Sequence, residues 1–314
     1  MREPPDEAID DSKAAGGEAR NDVREALDGV GPRIDKLRTR TDEQYPVHSF
    51  MKASHPTNDL AATLDDGDVA LGVLDNTYSP TLVEFYGELD LDFVWIDLEH
   101  GGPEPWDASQ VEDLLRAAER TDVELLVRLP DTDPTLVRKA LDLGVRNVFL
   151  PRVDTADEVR DAVRSARFRY DDGPGDRGLA SPRASRWGLA EDYIATEDRE
   201  TLVGVTVETE ASIENLDDIL AVPELGFVFI GPFDLSVSLG HAGEIDHPSV
   251  QDAVETIRST AVDADVPVAG LGFGMDDINQ KATNGYQILN LGSTTGALEQ
   301  TVTGWFDDYE QNDA

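Results

Sequence analysis

Residues Asp92 to Gly102 read DFVWIDLEHGG. Phe93 to Ile96 form an unbroken apolar run of the length expected for a buried strand, and the run stops at Asp97, Glu99 and His100. The stretch FVFIGPFDLSVSLG, Phe227 to Gly240, repeats the pattern and stops at the turn Gly231, Pro232, Phe233, Asp234. A third run, Leu202 to Val207, ends at Glu208. Charge at the end of a buried strand is costly unless it is paired or holds a metal, so these strand ends are where chemistry is expected.

Working outward, further apolar runs fall at Val69 to Leu74, Leu125 to Val127, Val148 to Leu150, Val266 to Gly270 and Gln287 to Leu291, which makes eight in all. Helical patterns separate them. Ser79 before Pro80 and Asp133 before Pro134 place an N-cap beside a proline at the first helical position, and Gly87 and Gly144 fall where those helices should stop. Thr155 with Glu158 reads as a capping box ahead of Val159, Ala162, Val163 and Ala166, the spacing of one buried helix face. Eight strands alternating with helices imply a parallel sheet, and eight is the number that closes a (β/α)₈ barrel of the TIM type. An open doubly wound sheet is the competing architecture, but the first strand-to-helix turn, LDNTYSP, carries no glycine-rich dinucleotide fingerprint.

The formal net charge is −39 over 314 residues. Residues 1–50 hold 8 basic and 12 acidic residues, a balance of −4, so the remaining 264 carry −35. The acid therefore coats the folded domain. Such a surface repels nucleic acid and anionic membranes and argues against both as partners. Molar salt, with a Debye length of about 3 Å, would screen its self-repulsion, which points to a halophile with a salty cytoplasm. The chain has no cysteine, so disulfides, thiolate metal sites and thiol nucleophiles are excluded. No stretch has the length of a membrane span, and Arg2, Glu3, Asp6 and Glu7 stand where a signal peptide would be apolar, so a cytoplasmic protein is expected.

Residues 1–50 lack a sustained apolar stripe and are broken by Pro4, Pro5, Pro32 and Pro46, the composition of a disordered acidic extension. Met51 opens a stretch, MKASHPTNDLAATLDDGD, that reads as a domain start, so residues 51–314 are expected to form the barrel. The upstream part is then a regulatory extension or the product of an early start codon.

In a barrel of this kind the C-terminal ends of the strands carry the active site. Asp97, Glu99 and His100 follow the second strand, Arg128 ends the third, Glu208 the fifth, and Asp234 follows the sixth. Glu208 and Asp234 are hard oxygen ligands suited to Mg²⁺ or Mn²⁺, with Co²⁺ as a further candidate. Such an ion, chelated by a 2-oxo acid, would polarise its C2 carbonyl. The turn Gly231, Phe233, Asp234 offers backbone N–H groups to the substrate carboxylate. Arg128 would stabilise the oxygen that becomes an enolate, and His100, oriented by Asp97, would move a proton near neutral pH. Each has a structural rival: Asp97 as a helix cap, Glu99 as a supporting or merely exposed group, Arg128 as a structural ion-pair partner. A lysine Schiff base is disfavoured, because Lys13, Lys36 and Lys52 precede the barrel while Lys139 and Lys281 fall within predicted helices. The set reads as an enolate-forming lyase.

From about Val69 to Trp305 the chain resembles the HpcH/HpaI aldolase family. The resemblance rests on Ile96 to Gly101, Val127 with Arg128, LDLGVRNVFLPRV at Leu141 to Val153, Arg177 with Gly178, RASRWG at Arg183 to Gly188, Val207 to Thr209, NLDDIL at Asn215 to Leu220, and IGPFDLSVSLG. It implies a pyruvate-type barrel and a metal-dependent class II aldolase. Such an enzyme cleaves a 4-hydroxy-2-oxo acid, a 2-keto-3-deoxy sugar acid or a 4-hydroxy-2-oxo dicarboxylate, to pyruvate and an aldehyde. It also implies Glu208 and Asp234 as metal ligands, Arg128 on the pyruvyl oxygen, His100 with Asp97 as the acid/base pair, and a homohexamer whose last helix is exchanged between subunits. Leu298, Val302, Trp305 and Phe306 suit that helix, and packing on their own barrel explains them equally well. RYDDGPGDRG lacks the YPP that many members show before the Arg-Gly pair, and Phe233 replaces a residue that is small in some. Arg177, Arg183 and Arg186 are candidates for an acidic acceptor tail or for subunit salt bridges. A malyl- or citryl-CoA-type lyase and a barrel without catalysis are the alternative readings.

Overall fold

A computed structural model describes residues 57–103 and 107–311. The expected disordered extension, residues 1–50, lies outside them. Eight parallel strands, β1 (Ala70–Leu74), β2 (Phe93–Asp97), β3 (Glu124–Arg128), β4 (Asn147–Leu150), β5 (Leu202–Val207), β6 (Phe227–Ile230), β7 (Val268–Leu271) and β8 (Tyr286–Ser293), pair in chain order, and β8 returns to β1. The expected (β/α)₈ barrel is thus the observed fold. A short hairpin, Arg169–Tyr170 with Gly173–Pro174, lies apart from the barrel sheet.

The punctuation read in the sequence sets the ends of the helices after β3 and β4, while Ser79 makes no side-chain capping bond to the helix after β1. After α1 (Asp59–Asp65), helix α2 spans Pro80–Gly87, α3 spans Ala108–Ala118 and α4 spans Pro134–Leu143. Asp133 caps α4 by accepting from the Thr135 N–H at 2.8 Å, and Gly144 closes it with a left-handed φ of 107°. In α5 (Ala156–Ala166) the Thr155/Glu158 capping box is complete, and Val159, Ala162, Val163 and Ala166 are fully buried. The chain continues through α6 (Tyr193–Glu200), α7 (Glu210–Glu214), α8 (Leu216–Leu220), α9 (Pro232–Ser238), α10 (Pro248–Asp263), α11 (Met275–Thr283) and α12 (Thr294–Gln311).

The strands divide the core in two. Outward-facing Val94, Ile96, Val148, Val205 and Val228 pack under the helices, while inward-facing Phe93, Trp95, Phe149, Phe227, Phe229 and Ile288 fill the barrel. Trp95, Phe149 and Phe229 come from the alternate strands β2, β4 and β6 and meet with ring centroids 5.3 to 5.6 Å apart, the layering expected inside such a barrel.

Helix α1 went unread in the sequence. It places Leu60 and Leu64 against the interior residues Ala70, Phe93 and Ile288, closing the N-terminal end of the barrel. Asn58 caps it, and the Asn58 amide nitrogen donates to Asn147 Oδ1 and to the Glu200 carbonyl, each at 2.7 Å. Asn147 in turn donates to Glu124 at 3.1 Å.

At the other extreme of the chain, α12 is rooted firmly. The Asn76 amide donates to Thr295 Oγ1 at 2.6 Å, and the Thr294 hydroxyl donates to Asp75 at 2.9 Å. Beyond the root, Leu298, Trp305, Phe306 and Tyr309 are all more than 60% exposed, so packing on their own barrel does not account for them. Among the described residues no helix is long and apolar enough to cross a membrane.

Candidate active site

The strand order brings the charged strand ends together at the C-terminal mouth. Asp97 is the last residue of β2 and stands in register with Arg128, the last residue of β3. Arg128 donates through Nε and Nη2 to the two Asp97 oxygens at 2.8 and 2.7 Å, a bidentate fork. Its Nη1 lies 2.9 Å from Glu99 Oε2, an ion pair without the alignment of a hydrogen bond. The guanidinium also sits 5.1 Å over the Trp95 ring. Burial disfavours the Asp97 anion, yet the hydrogen bonds and charge of Arg128 outweigh it and hold that carboxyl below the usual range. For Glu99 the balance goes the other way, and burial raises its pKa despite Arg128.

Both Asp97 oxygens are taken by Arg128, and the Asp97 carboxylate also accepts from the Glu99 N–H at 3.0 Å. The carboxylate beside His100 is Glu99, 3.6 Å from Nε2, with the imidazole 61% exposed. Adjacent strand ends bring Asp97 against Arg128, while the turn after β2 carries the His100 imidazole outward and leaves Glu99 facing Arg128. Tyr78 supports that turn. Its hydroxyl donates to the Asp97 carbonyl at 3.2 Å; a Cβ on Gly101 would meet that hydroxyl at 2.6 Å, and one on Gly102 would meet the ring at 2.7 Å. Tyr78 itself adopts a left-handed φ of 54°.

On the opposite side of the mouth, Glu208 follows β5 and is 2% exposed. Of the two glutamates there it is the one turned inward; Thr209 caps α7, and Glu210 is exposed in its first turn. Glu208 Oε1 accepts from the Arg152 N–H at 2.8 Å. Burial, with repulsion from Asp234 next, pushes its carboxyl up to about 7. Gly231 passes so close that a Cβ there would meet Glu208 Oε2 at 2.5 Å. Pro232 then starts α9, placing Phe233 and Asp234 in its first turn, and Phe233 packs edge-on against Phe273 at 6.4 Å. Arg152, given no role in the sequence reading, holds a left-handed φ of 49°, and its Nη1 lies 3.7 Å from Asp234 Oδ1.

Two carboxylates that repel each other, one of them buried, suit a hard divalent cation. Among the described residues no group of three or more His, Asp and Glu side chains forms a ligand cluster, so a cation at Glu208 and Asp234 would draw its remaining ligands from water or substrate. The inner wall also holds buried polar atoms without hydrogen-bond partners among the described residues: Trp95 Nε1, Thr206 Oγ1 and Asn290 Oδ1.

Arg177 and Arg183, candidates with Arg186 for an acidic tail or for subunit salt bridges, make ion pairs within the chain. Arg177 is completely buried, with Nη2 donating to Glu197 at 3.0 Å and to the Tyr193 hydroxyl at 3.1 Å. Arg183 forks onto Glu119 at 2.7 and 2.8 Å and donates to the Leu143 carbonyl. Arg186 lies in the 3₁₀ turn Arg186–Gly188.

Comparison with known proteins places the chain in a family. The hydroxypyruvate/pyruvate aldolase of Roseovarius nubinhibens is 36% identical over 252 residues, covering 79% of this chain and 95% of the relative. The 5-keto-4-deoxy-D-glucarate aldolase of Salmonella paratyphi A is 29% identical, with 81% and 97% covered. The crystal structure of an HpcH/HpaI aldolase/citrate lyase family protein from Burkholderia cenocepacia superposes with a TM-score of 0.76 at 30% identity, covering 81% of this chain and all of that one. Residues 73–300 match the sequence model of the same family. The chain therefore belongs to the HpcH/HpaI aldolase/citrate lyase family and is an enzyme of the lyase class.

Proposed function

We propose that this enzyme is a divalent-metal-dependent aldolase that reversibly cleaves a 4-hydroxy-2-oxo acid to pyruvate and an aldehyde. The observation that carries the reading is the buried Glu208 carboxylate beside Asp234, across the mouth from the Arg128 guanidinium. A Mg²⁺ or Mn²⁺ ion held by Glu208 and Asp234 would supply a Lewis acid for the 2-oxo group. The protein's own groups do the rest. In the cleavage direction the C4 hydroxyl gives its proton to His100, the C3–C4 bond breaks to release the aldehyde, the electron pair moves to the C2 oxygen, and a proton taken up at C3 then turns the enolate into pyruvate. Arg128 faces the negative charge that develops there, and its fork with Asp97 fixes it in advance. The exposure of His100 lets it trade that proton with solvent.

We further propose an oligomer in which α12 of one subunit covers a neighbour, on the exposure of Leu298, Trp305, Phe306 and Tyr309. The dispersed acidic surface supports a salt-adapted cytoplasm as its setting. The deciding experiment is deuterium exchange into the methyl group of pyruvate, followed by NMR in molar KCl with Mn²⁺ or Mg²⁺ and then with chelator. Exchange that requires metal supports the aldolase. Its absence in folded, metal-loaded protein would favour a CoA thioester lyase, and acyl-CoA substrates would be tried next.

A further inference from the structure

We propose that a cavity outside the barrel, between α10 and α11, binds a small hydroxylated amine, and that its occupant acts on the first turn of α9. The cavity measures about 420 Å³, the size of a small-molecule site rather than of a trapped water. Ile230 of β6, Leu271 of β7 and Val254 of α10 give it apolar walls, and neither Arg128, Glu208 nor Asp234 lines it. It is thus distinct from the mouth.

Two observations set the ligand class. The first is Tyr286, which lines the cavity, is 4% exposed and has a hydroxyl without a hydrogen bond among the described residues. Burial pushes that hydroxyl up to about 12, so it stays a neutral phenol that an oxygen of the ligand can satisfy. The second is charge. Lys281 is the one cation lining the cavity and is already engaged, donating to the Leu271 carbonyl at 2.8 Å and to Asp277 at 2.7 Å. Asp246 keeps an exposed carboxylate with no hydrogen bond or ion pair among the described residues. Beside it the Gln251 amide nitrogen donates to the Ile245 carbonyl, which leaves the side-chain oxygen to accept. An uncommitted carboxylate on a chain of net charge −39 attracts a cation and repels an anion. An ammonium at Asp246 and Gln251, an apolar body between Ile230, Val254 and Leu271, and an oxygen at Tyr286 meet all of these groups.

A third observation links the cavity to the mouth. Pro232 lines it and is the first residue of α9, whose first turn holds Asp234; Phe273 lines it too and packs against Phe233. A ligand filling the cavity braces that turn from behind and holds Asp234 in place for a cation. This coupling, unlike the site, rests on the metal reading above.

The test is calorimetric titration of the full chain, in KCl that keeps it folded, with tyramine, with phenethylamine, which lacks the phenol oxygen, and with 3-(4-hydroxyphenyl)propionate, which carries a carboxylate in place of the ammonium. Tyramine should bind one-to-one with a Kd of about 1 mM or tighter, phenethylamine several-fold and the carboxylate at least about 10-fold more weakly. Asp246→Asn, a change at an exposed position, should weaken tyramine by about 10-fold, and Val254→Trp, which fills the cavity, should abolish binding. No saturable binding, equal affinity for the carboxylate, or indifference to both variants would overturn the site. Saturating tyramine should tighten Mn²⁺ binding by about 5-fold or more, followed by the EPR signal of free Mn²⁺, and Mn²⁺ should tighten tyramine by the same factor. Unchanged Mn²⁺ affinity would overturn the coupling and leave the site standing. If Mn²⁺ does not bind at all, the metal reading falls and takes the coupling with it, while the tyramine titrations still decide the site.

Discussion

The two ends of the barrel treat buried acid in opposite ways. At the N-terminal end Glu200 accepts from the Asn58 N–H at 2.8 Å, and Glu124, whose pKa burial raises, accepts from Asn147, so each has a neutral donor. At the mouth Glu208 receives the Arg152 N–H and faces Asp234, a second anion. One end is built to stay shut. The other stores repulsion that a bound cation would relieve, which costs stability in the free protein.

The sharpest break of this contrast is Glu208→Ala or Asp234→Ala. Either should reduce metal-dependent pyruvate exchange by roughly 10³-fold or more. The metal-free Tm should hold steady or rise, because an uncompensated charge has been removed. Exchange persisting in both variants would sink the ligand assignment. At the opposite end, Leu60→Ala should cost about 3 kcal/mol of stability. Exchange at 25 °C should stay near wild type, as denaturant melts and the NMR assay together would show.

The pH dependence follows from the raised Glu208 carboxyl. Its folded pKa, about 7, exceeds the ordinary 4.5, so the folded state binds the proton more tightly than the unfolded one. Stability contributed by this group is present below pH 4.5 and is lost as pH rises through 7, by at most on the order of 3 kcal/mol in metal-free protein. Glu208→Gln should flatten that part of the profile; an unchanged profile would assign the slope to other groups. Because metal and proton compete for the same oxygens, Mn²⁺ affinity should weaken as pH falls below about 7. The smallest effect is expected of Tyr78→Phe, which removes one hydrogen bond under the turn that carries His100, worth about 1 kcal/mol. A fall in kcat of several-fold with a shifted pH–rate profile would identify Tyr78 as positioning His100, whereas a Tm change alone would make it ordinary packing.

Much of this was legible in the chain. Every barrel strand could be found because each buried run is apolar and stops at a turn or a charge, and the capping residues around α4 and α5 act locally. Strand ends in a closed barrel converge whatever lies between them, which is why Arg128, Glu208 and Asp234 could be brought together on paper. The pairing of side chains was harder. Asp97 lies three residues from His100 in the chain but beside Arg128 in space, and only the β2–β3 register shows which neighbour wins. Arg152 gave no signal, since its importance lies in a backbone N–H and a left-handed turn after Pro151. Helix α1 was too short and polar to announce itself, with only Leu60 and Leu64 on its buried side.

The root of α12 has a consequence for assembly. Because Asn76 and Asp75 pin Thr295 and Thr294, the arm points in one direction before any neighbour arrives. A pre-aimed arm gives up little orientational freedom on docking and admits few angles between neighbours. Under the proposed exchange, that fixed angle is what decides whether successive subunits close into a ring or run on as an open chain.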